Sequence, residues 1–373
     1  MTGNRKIESG KRIVVKIGSA LLADQENGAV HREWLAALAE DIAACIKRGQ
    51  EVILVSSGAI AIGRRQLGLP SGPLKLDENQ AAAATGMVRL AHAYEEVLGG
   101  FDLTVAQVLL TLDDTENRRR YINARNTLDA LLRLGAVPLI NENDTVATDE
   151  IRFGDNDRLA ARVAAMISAD ILVLLSDIDG LYTADPRRDP NASFIPEVTE
   201  ITPEIEAMAG EAPPGDSRGG MVTKLAAAEV CLANGCRMVI TDGKEAHPLK
   251  RLQDGAKATW FLPSATPKTA RKRWIAGALS PTGAVVLDEG AVRALGAGKS
   301  LLPAGIVSIE GDFQRGDAVI VKAADGRELG RGLVAYSAAD AKRIIGYKPS
   351  EIESLLGYRG RDEMIHRDDM VLD

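Results

Sequence analysis

Apolar residues recur along the first two thirds of the chain in two alternating periods. Short unbroken runs rich in Val, Ile and Leu, at 11–17, 52–55, 103–110, 136–140, 171–175 and 238–241, predict buried strands. Between them the apolar positions take helical spacing. Leu35, Leu38, Ile42, Cys45 and Ile46 form one stripe, with Gly49 placed to end the helix. Further helices are expected over 79–98, 118–134, from Leu159 through Ile167, and from about 221 to Asn234. Strands alternating with helices predict an α/β fold with a parallel sheet covered on both faces. Residues 182–196, rich in Pro and Asp, read as a loop.

The pattern changes after Trp260. Residues 263–273 read as a linker, with prolines at 263 and 267. Beyond it, short strands at 284–287, 305–309, 318–321 and 332–335 are separated by Gly-rich turns. The expected division is therefore a first domain over 1–262, the linker, and a small strand-rich domain over 274–373. Its mixed-charge end, 361–373, is expected to be loose.

Length supports this division, since 373 residues exceed one average core. The formal net charge of −7 argues against a nucleic-acid-binding surface over the whole chain. Three cysteines, Cys45, Cys231 and Cys236, have neither disulfide-framework nor zinc spacing and read as core residues of a cytoplasmic protein. The four scattered histidines make a transition-metal site unexpected. The sequence shows no signal peptide and no apolar run long enough to span a membrane.

Chemistry concentrates in 138–157. A strand breaks there into Asn141-Glu142-Asn143-Asp144, and a second polar knot, Gly154-Asp155-Asn156-Asp157, precedes a helix. Carboxylates suit an ammonium, while amides and helix-start N–H groups suit a carboxylate, so the stretch fits a small zwitterion. Asn and Asp are also ordinary turn formers and caps. Four strand ends deliver small, hydroxyl or polar residues: Gly18-Ser19, Ser57-Gly58, Asn143-Asp144 and Ser176-Asp177. Ligands of open parallel sheets lie at such ends.

Two lysines are out of place there. Lys16 sits inside an apolar strand, and Lys224 follows a diglycine at a helix start, where the dipole disfavours a cation. A bound polyanion would satisfy both, as phosphoryl transfer requires. The chain has no P-loop; Gly296-Ala297-Gly298-Lys299-Ser300 lacks the leading glycine, with Arg293 at that position.

These residues fall into motifs that resemble the amino-acid kinase family, and within it the members that phosphorylate L-glutamate. The motifs are VVKIGS, VSSGAIAIG, NARNTLDALL, PLINENDTVAT, GDNDRLAARVA, LLSDIDGLYTADPR and GGMVTKLAAA, in order. ATPKTARKRWIAG, DEGAVRAL, SLLPAGI and HRDDM resemble the PUA domain appended to many such enzymes. The resemblance implies a three-layer α/β sandwich with a mainly parallel sheet, plus a small mostly-β PUA-like domain. It implies ATP and Mg2+ as cofactors and transfer of phosphate to the γ-carboxylate of L-glutamate, the first step of proline synthesis.

By motif match, Lys16 and Lys224 neutralise the transferring phosphoryl and Asp157 orients them. Ser57, Asp144 and Asn156 hold glutamate. Lys16, Ser176, Asp177, Arg218, Gly219, Gly220, Met221, Val222, Thr223 and Lys224 hold ATP. Feedback inhibition by proline and self-association are also implied. Ala20, Ser176 and Arg218 depart from common family residues, and Arg218 is as compatible with a solvated position as with a phosphate contact. The alternatives are a related kinase acting on acetylglutamate or aspartate, or an RNA-binding regulator using the PUA-like domain. The tail aromatics Phe313, Tyr336, Tyr347 and Tyr358 are too scattered to favour the latter.

Overall fold

The computed structural model describes residues 5–24, 28–70, 72–146, 156–210, 220–277 and 280–372. The chain divides into two compact units, Met1–Pro267 and Lys268–Asp373.

The first unit is built on an eight-stranded sheet. Its strands are β1 (Arg12–Ile17), β2 (Glu51–Ser56), β3 (Val105–Leu110), β4 (Val137–Glu142) and β5 (Ile171–Ser176), followed by β8 (Glu197–Val198), β9 (Arg237–Asp242) and β10 (Ala258–Phe261). The short β6 (Leu181–Tyr182) and β7 (Phe194–Ile195) pair as a separate hairpin. The spatial order is β3-β4-β2-β1-β5-β9-β10-β8, with every neighbouring pair parallel except β9 and β10.

Alternation along β1 assigns its two faces. Ile13, Val15 and Ile17 enter one core with Leu35, Leu38, Leu90 and Tyr94 of the helices Arg32–Lys47 and Leu76–Gly99. Val14 enters the other core with Leu159, Val163, Leu225 and Cys231 of the helices Asn156–Met166 and Met221–Ala233. Successive strand side chains point to opposite faces, so Lys16 shares the face of Val14. Helix, sheet and helix therefore make three layers. Ala59–Gln66 and Leu76–Gly99 pack backbone to backbone: a Cβ on Gly63 would fall 1.8 Å from the Ala82 carbonyl oxygen. A Cβ on Gly86 would fall equally close to that of Ala59.

The second unit holds β11 (Gly283–Leu287), β12 (Ile306–Gly311), β13 (Ala318–Ala323), β14 (Glu328–Leu333) and β15 (Met370–Leu372), in the order β12-β11-β13-β14-β15. Val285, Leu287, Phe313, Val319, Val321 and Met364 fill a core of its own.

Several expectations need correction. β4 continues through Asn141 and Glu142, which pair with Leu109 and Leu110. The presumed loop 182–196 contains the β6–β7 hairpin. Within the presumed linker, Pro267 begins the helix Pro267–Gly277. The fourth short strand of the second unit lies at Glu328–Leu333, earlier than 332–335. The tail is not loose: Met364 and Ile365 are buried, and Met370–Leu372 pairs with β14. Arg271 also pairs with Asp369 at 2.6 Å, both side chains nearly enclosed. No helix among the described residues is long and apolar enough to cross a membrane.

Candidate active site

β4, β2, β1 and β5 are adjacent and parallel, so their carboxyl ends open on the same edge of the sheet. A cleft of about 510 Å³ lies there. Lys16, Ser57, Asp144, Asn156, Ser176, Asp177 and Lys224 all line it.

Two of its lining residues, Lys16 and Lys224, meet on Asp157, which does not itself line the cleft. Lys16 reaches from the end of β1, Asp157 from the first turn of Asn156–Met166, and Lys224 from the first turn of Met221–Ala233. Lys16 Nζ lies 2.6 Å from Asp157 Oδ1, and Lys224 Nζ donates to Asp157 Oδ2 at 3.0 Å. Thr223 Oγ1 lies 3.2 Å from the same Oδ2. The three are only 8%, 2% and 5% exposed, respectively. Burial alone would raise the Asp157 pKa, but the two ammonium groups outweigh it and hold the carboxyl well below the usual carboxylate range. Two cations against one anion leave the trio with one formal positive charge.

A polar web lies beside it. Asn156 Nδ2 donates to the Ser56 carbonyl at 2.6 Å, to Ser57 Oγ at 2.8 Å and to Asn141 Oδ1 at 3.2 Å. Its amide donors are thereby committed, whereas Asn156 Oδ1 is buried without a hydrogen-bond partner among the described residues. Such an acceptor fits an incoming N–H donor. Asp144 is buried on the turn after β4, and desolvation pushes its pKa up to about 6. Gly58 adopts a left-handed φ of 101°, which lets Ala59–Gln66 start immediately after β2. On the other side, Ser176 Oγ donates to Asp177 Oδ1 at 3.1 Å.

The remaining candidates are distributed differently. Gly220 precedes the helix, Met221 packs partly buried against the core, and Val222 is exposed. None of these lines the cleft, nor does Thr223, which turns to Asp157 and to the Gly220 carbonyl. Arg218 and Gly219 lie outside the described residues. Both lysines find a carboxylate, Asp157, the residue that the family motifs assigned to orient them, where strand and helix pattern alone suggested only a polyanion. Asn141, Glu142 and Arg64 line the cleft but were not singled out. Asn141 and Glu142 belong to the same polar run as Asp144, and Arg64 is a cation in a helix otherwise opened by Ala, Ile and Gly, AIAIGR.

A model of the amino acid kinase family matches residues 11–242, and a PUA domain model matches residues 283–356. The glutamate 5-kinase of Paramagnetospirillum magneticum is 66% identical over 367 residues, which cover 98% of this chain and 99% of that protein. The glutamate 5-kinase of Rhodospirillum rubrum is 61% identical over 360 residues, 96% of each chain. Among solved structures, UMP kinase from Ureaplasma parvum aligns with 68% of this chain and 98% of its own at 19% identity, with a TM-score of 0.48.

Proposed function

We infer the roles of individual residues from what the chain is: it belongs to the amino acid kinase family, among its glutamate 5-kinases, and phosphorylates the γ-carboxylate of L-glutamate with ATP. The products are L-glutamyl 5-phosphate and ADP. The reading of the site is carried by the convergence, on one carboxylate, of two buried lysines that line a cleft made by four strand ends. The direct test is ADP release with L-glutamate beside N-acetylglutamate and aspartate; preference for either of the latter would reassign the substrate.

In this reading a γ-carboxylate oxygen attacks the γ-phosphorus of ATP while the bond to the β-phosphate oxygen breaks. Lys16 and Lys224 neutralise charge on the transferring group, and Asp157 holds both in place. Asp144 and Asn156 Oδ1 accept from the α-ammonium of glutamate, with the Ser57 hydroxyl beside them. ATP lies toward Ser176, Asp177 and the start of Met221–Ala233, with Arg218 and Gly219 assigned there by motif match. Among the described residues no group of three or more His, Cys, Asp or Glu could cage a metal. Mg2+ would be held chiefly by phosphate oxygens and water, as is usual for this ion, and would draw charge from the phosphates.

Asp144 sets a pH dependence. Its pKa of about 6 means that the carboxylate is ionised above that value and neutral below it. kcat/KM for glutamate should fall as pH drops through about 6, and Asp144→Asn should lack this limb and raise the glutamate KM far more than the ATP KM. Equal changes in both constants would remove Asp144 from glutamate recognition. Proline carries the same α-ammonium and α-carboxylate, so it should compete at these groups. The same titration with and without proline measures that inhibition. The chain is proposed to act in the cytoplasm as a homo-oligomer.

The division of labour is proposed as catalysis in 1–262 and support or regulation in 274–373. The described cores of the two units share no residue, and every assigned site residue precedes Pro267. A chain ending at Pro267 should therefore melt cooperatively and phosphorylate glutamate. If it folds yet stays inactive at saturating glutamate and MgATP, the second unit contributes to the site. Of the second unit's aromatics, Phe313 and Tyr336 are buried while Trp274, Tyr347 and Tyr358 are exposed, and these three are widely spaced along the chain.

A further inference from the structure

The helix Ala59–Gln66 carries a cation whose role is unassigned. Arg64 lines the cleft. Its Nε donates to the Pro70 carbonyl at 2.8 Å, and its Nη2 donates to the Gly72 carbonyl. A guanidinium has five N–H donors, so these two bonds aim the fork and leave three for another acceptor. No carboxylate lies within ion-pair reach of Arg64 among the described residues. The nearby lysines, by contrast, are already paired with Asp157.

Three further observations fix where that guanidinium can act. Gly72, whose carbonyl accepts from Arg64, lines the same cleft as Ser57 at the end of β2. The helix is held by the glycine contacts between Gly63, Gly86 and their partners' backbones, so it has little freedom to shift. Glutamate brings two carboxylates and one ammonium. The γ-carboxylate must face the Lys16–Lys224 pair, and the ammonium fits Asp144 and Asn156 Oδ1. The α-carboxylate then calls for N–H donors or a cation in the same cleft, and Arg64 is the lining cation that is not paired with Asp157.

We propose that Arg64 binds the α-carboxylate of glutamate through the guanidinium N–H groups not used by Pro70 and Gly72, and so makes the enzyme select amino acids with a free α-carboxylate. The assignment rests on the glutamate-kinase reading, and its test separates the two. L-isoglutamine keeps the γ-carboxylate and the ammonium but carries a neutral amide in place of the α-carboxylate. Steady-state ADP release is measured with both substrates for the wild type, Arg64→Gln and Arg64→Lys, after matching melting curves.

Failure of the wild type to turn over L-glutamate would overturn the glutamate reading and this assignment with it. With that activity present, Arg64→Gln should lose about 10- to 100-fold in kcat/KM for L-glutamate, chiefly through KM, as expected when a charged hydrogen-bond donor to a substrate is removed. With L-isoglutamine the same variant should stay within about threefold of the wild type. Arg64→Lys, which keeps the charge without the fork, should recover part of the L-glutamate loss. Equal losses with both substrates would mean that Arg64 only holds the Pro70 and Gly72 carbonyls, and unchanged kinetics with both would mean that it does not touch the substrate; either result overturns the proposal.

Discussion

Asp157→Asn should lower the melting temperature by roughly 10 °C and slow turnover by about a hundredfold. Asp157 is almost fully enclosed and is the shared partner of Lys16 and Lys224. Without its charge, two buried ammonium groups face each other with only an amide oxygen between them. Breaking a buried pair by removing one partner costs about 3–5 kcal/mol, and each kcal/mol shifts the midpoint of a domain this size by roughly 2–4 °C. The loss in rate follows because the lysines no longer share a fixed anchor when the phosphoryl group arrives.

MgATP should restore more stability to the variant than to the wild type, since phosphate oxygens can replace the missing negative charge. The native pKa of Asp157 lies below its unfolded value. Its contribution to stability is thus complete above about pH 4 and is lost as pH falls further. The stability gap between wild type and variant should therefore narrow in acid. Differential scanning fluorimetry across pH, with and without MgATP, measures all of this. A variant that melts with the wild type and keeps its turnover would show that Asp157 holds neither lysine.

Lys16→Ala and Lys224→Ala should each cut kcat by two to three decades while the glutamate KM changes little. Removing one preorganised donor to a developing oxyanion typically costs about 3–4 kcal/mol of transition-state stabilisation. The two lysines approach from different elements, one on a strand and one on a helix, yet end on the two oxygens of one carboxylate. Their losses should consequently be non-additive: either single change disturbs the partner's anchor, so the double variant should fall less than the product of the singles. Single-turnover measurements with saturating substrates separate this from weaker binding. If either single variant retains near-native kcat in a folded protein, that lysine does not act on the transferring group.

Much of this arrangement was legible in the chain, for reasons that differ by element. β1, β2 and β5 are buried on both faces, so they appear as continuous apolar runs that periodicity finds easily. Lys16 stood out against that background because a cation in such a run demands a partner. Periodicity could not give that partner, since Asp157 is more than a hundred residues away and the pairing depends on two helices packing side by side; only the family motifs pointed to it. β4 was cut short because Asn141 and Glu142 look like loop residues; pairing with β3 overrides that polarity. Pro267 was taken as a breaker, although a proline in the first turn of a helix loses no hydrogen bond. The last strand, Met370–Leu372, is too short for any period, and only its pairing with β14 defines it. Arg64 was overlooked because a charged residue on a short helix looks like ordinary solvated surface.

The alternation along β1 also limits which genetic changes the enzyme can absorb. Substitutions at Val14 or Val15 alter volume but leave Lys16 on its side of the sheet. Inserting a single codon between Val14 and Lys16 would turn the lysine toward the apolar core that holds Tyr94 and Leu90, on the face opposite Asp157. Inserting two codons would return it to the correct side but displace it by roughly 6–7 Å along the strand, beyond reach of Asp157. Reading frames that preserve every residue of the site could thus still be lethal to activity, and tolerated length changes in the lineage should fall outside Arg12–Ile17.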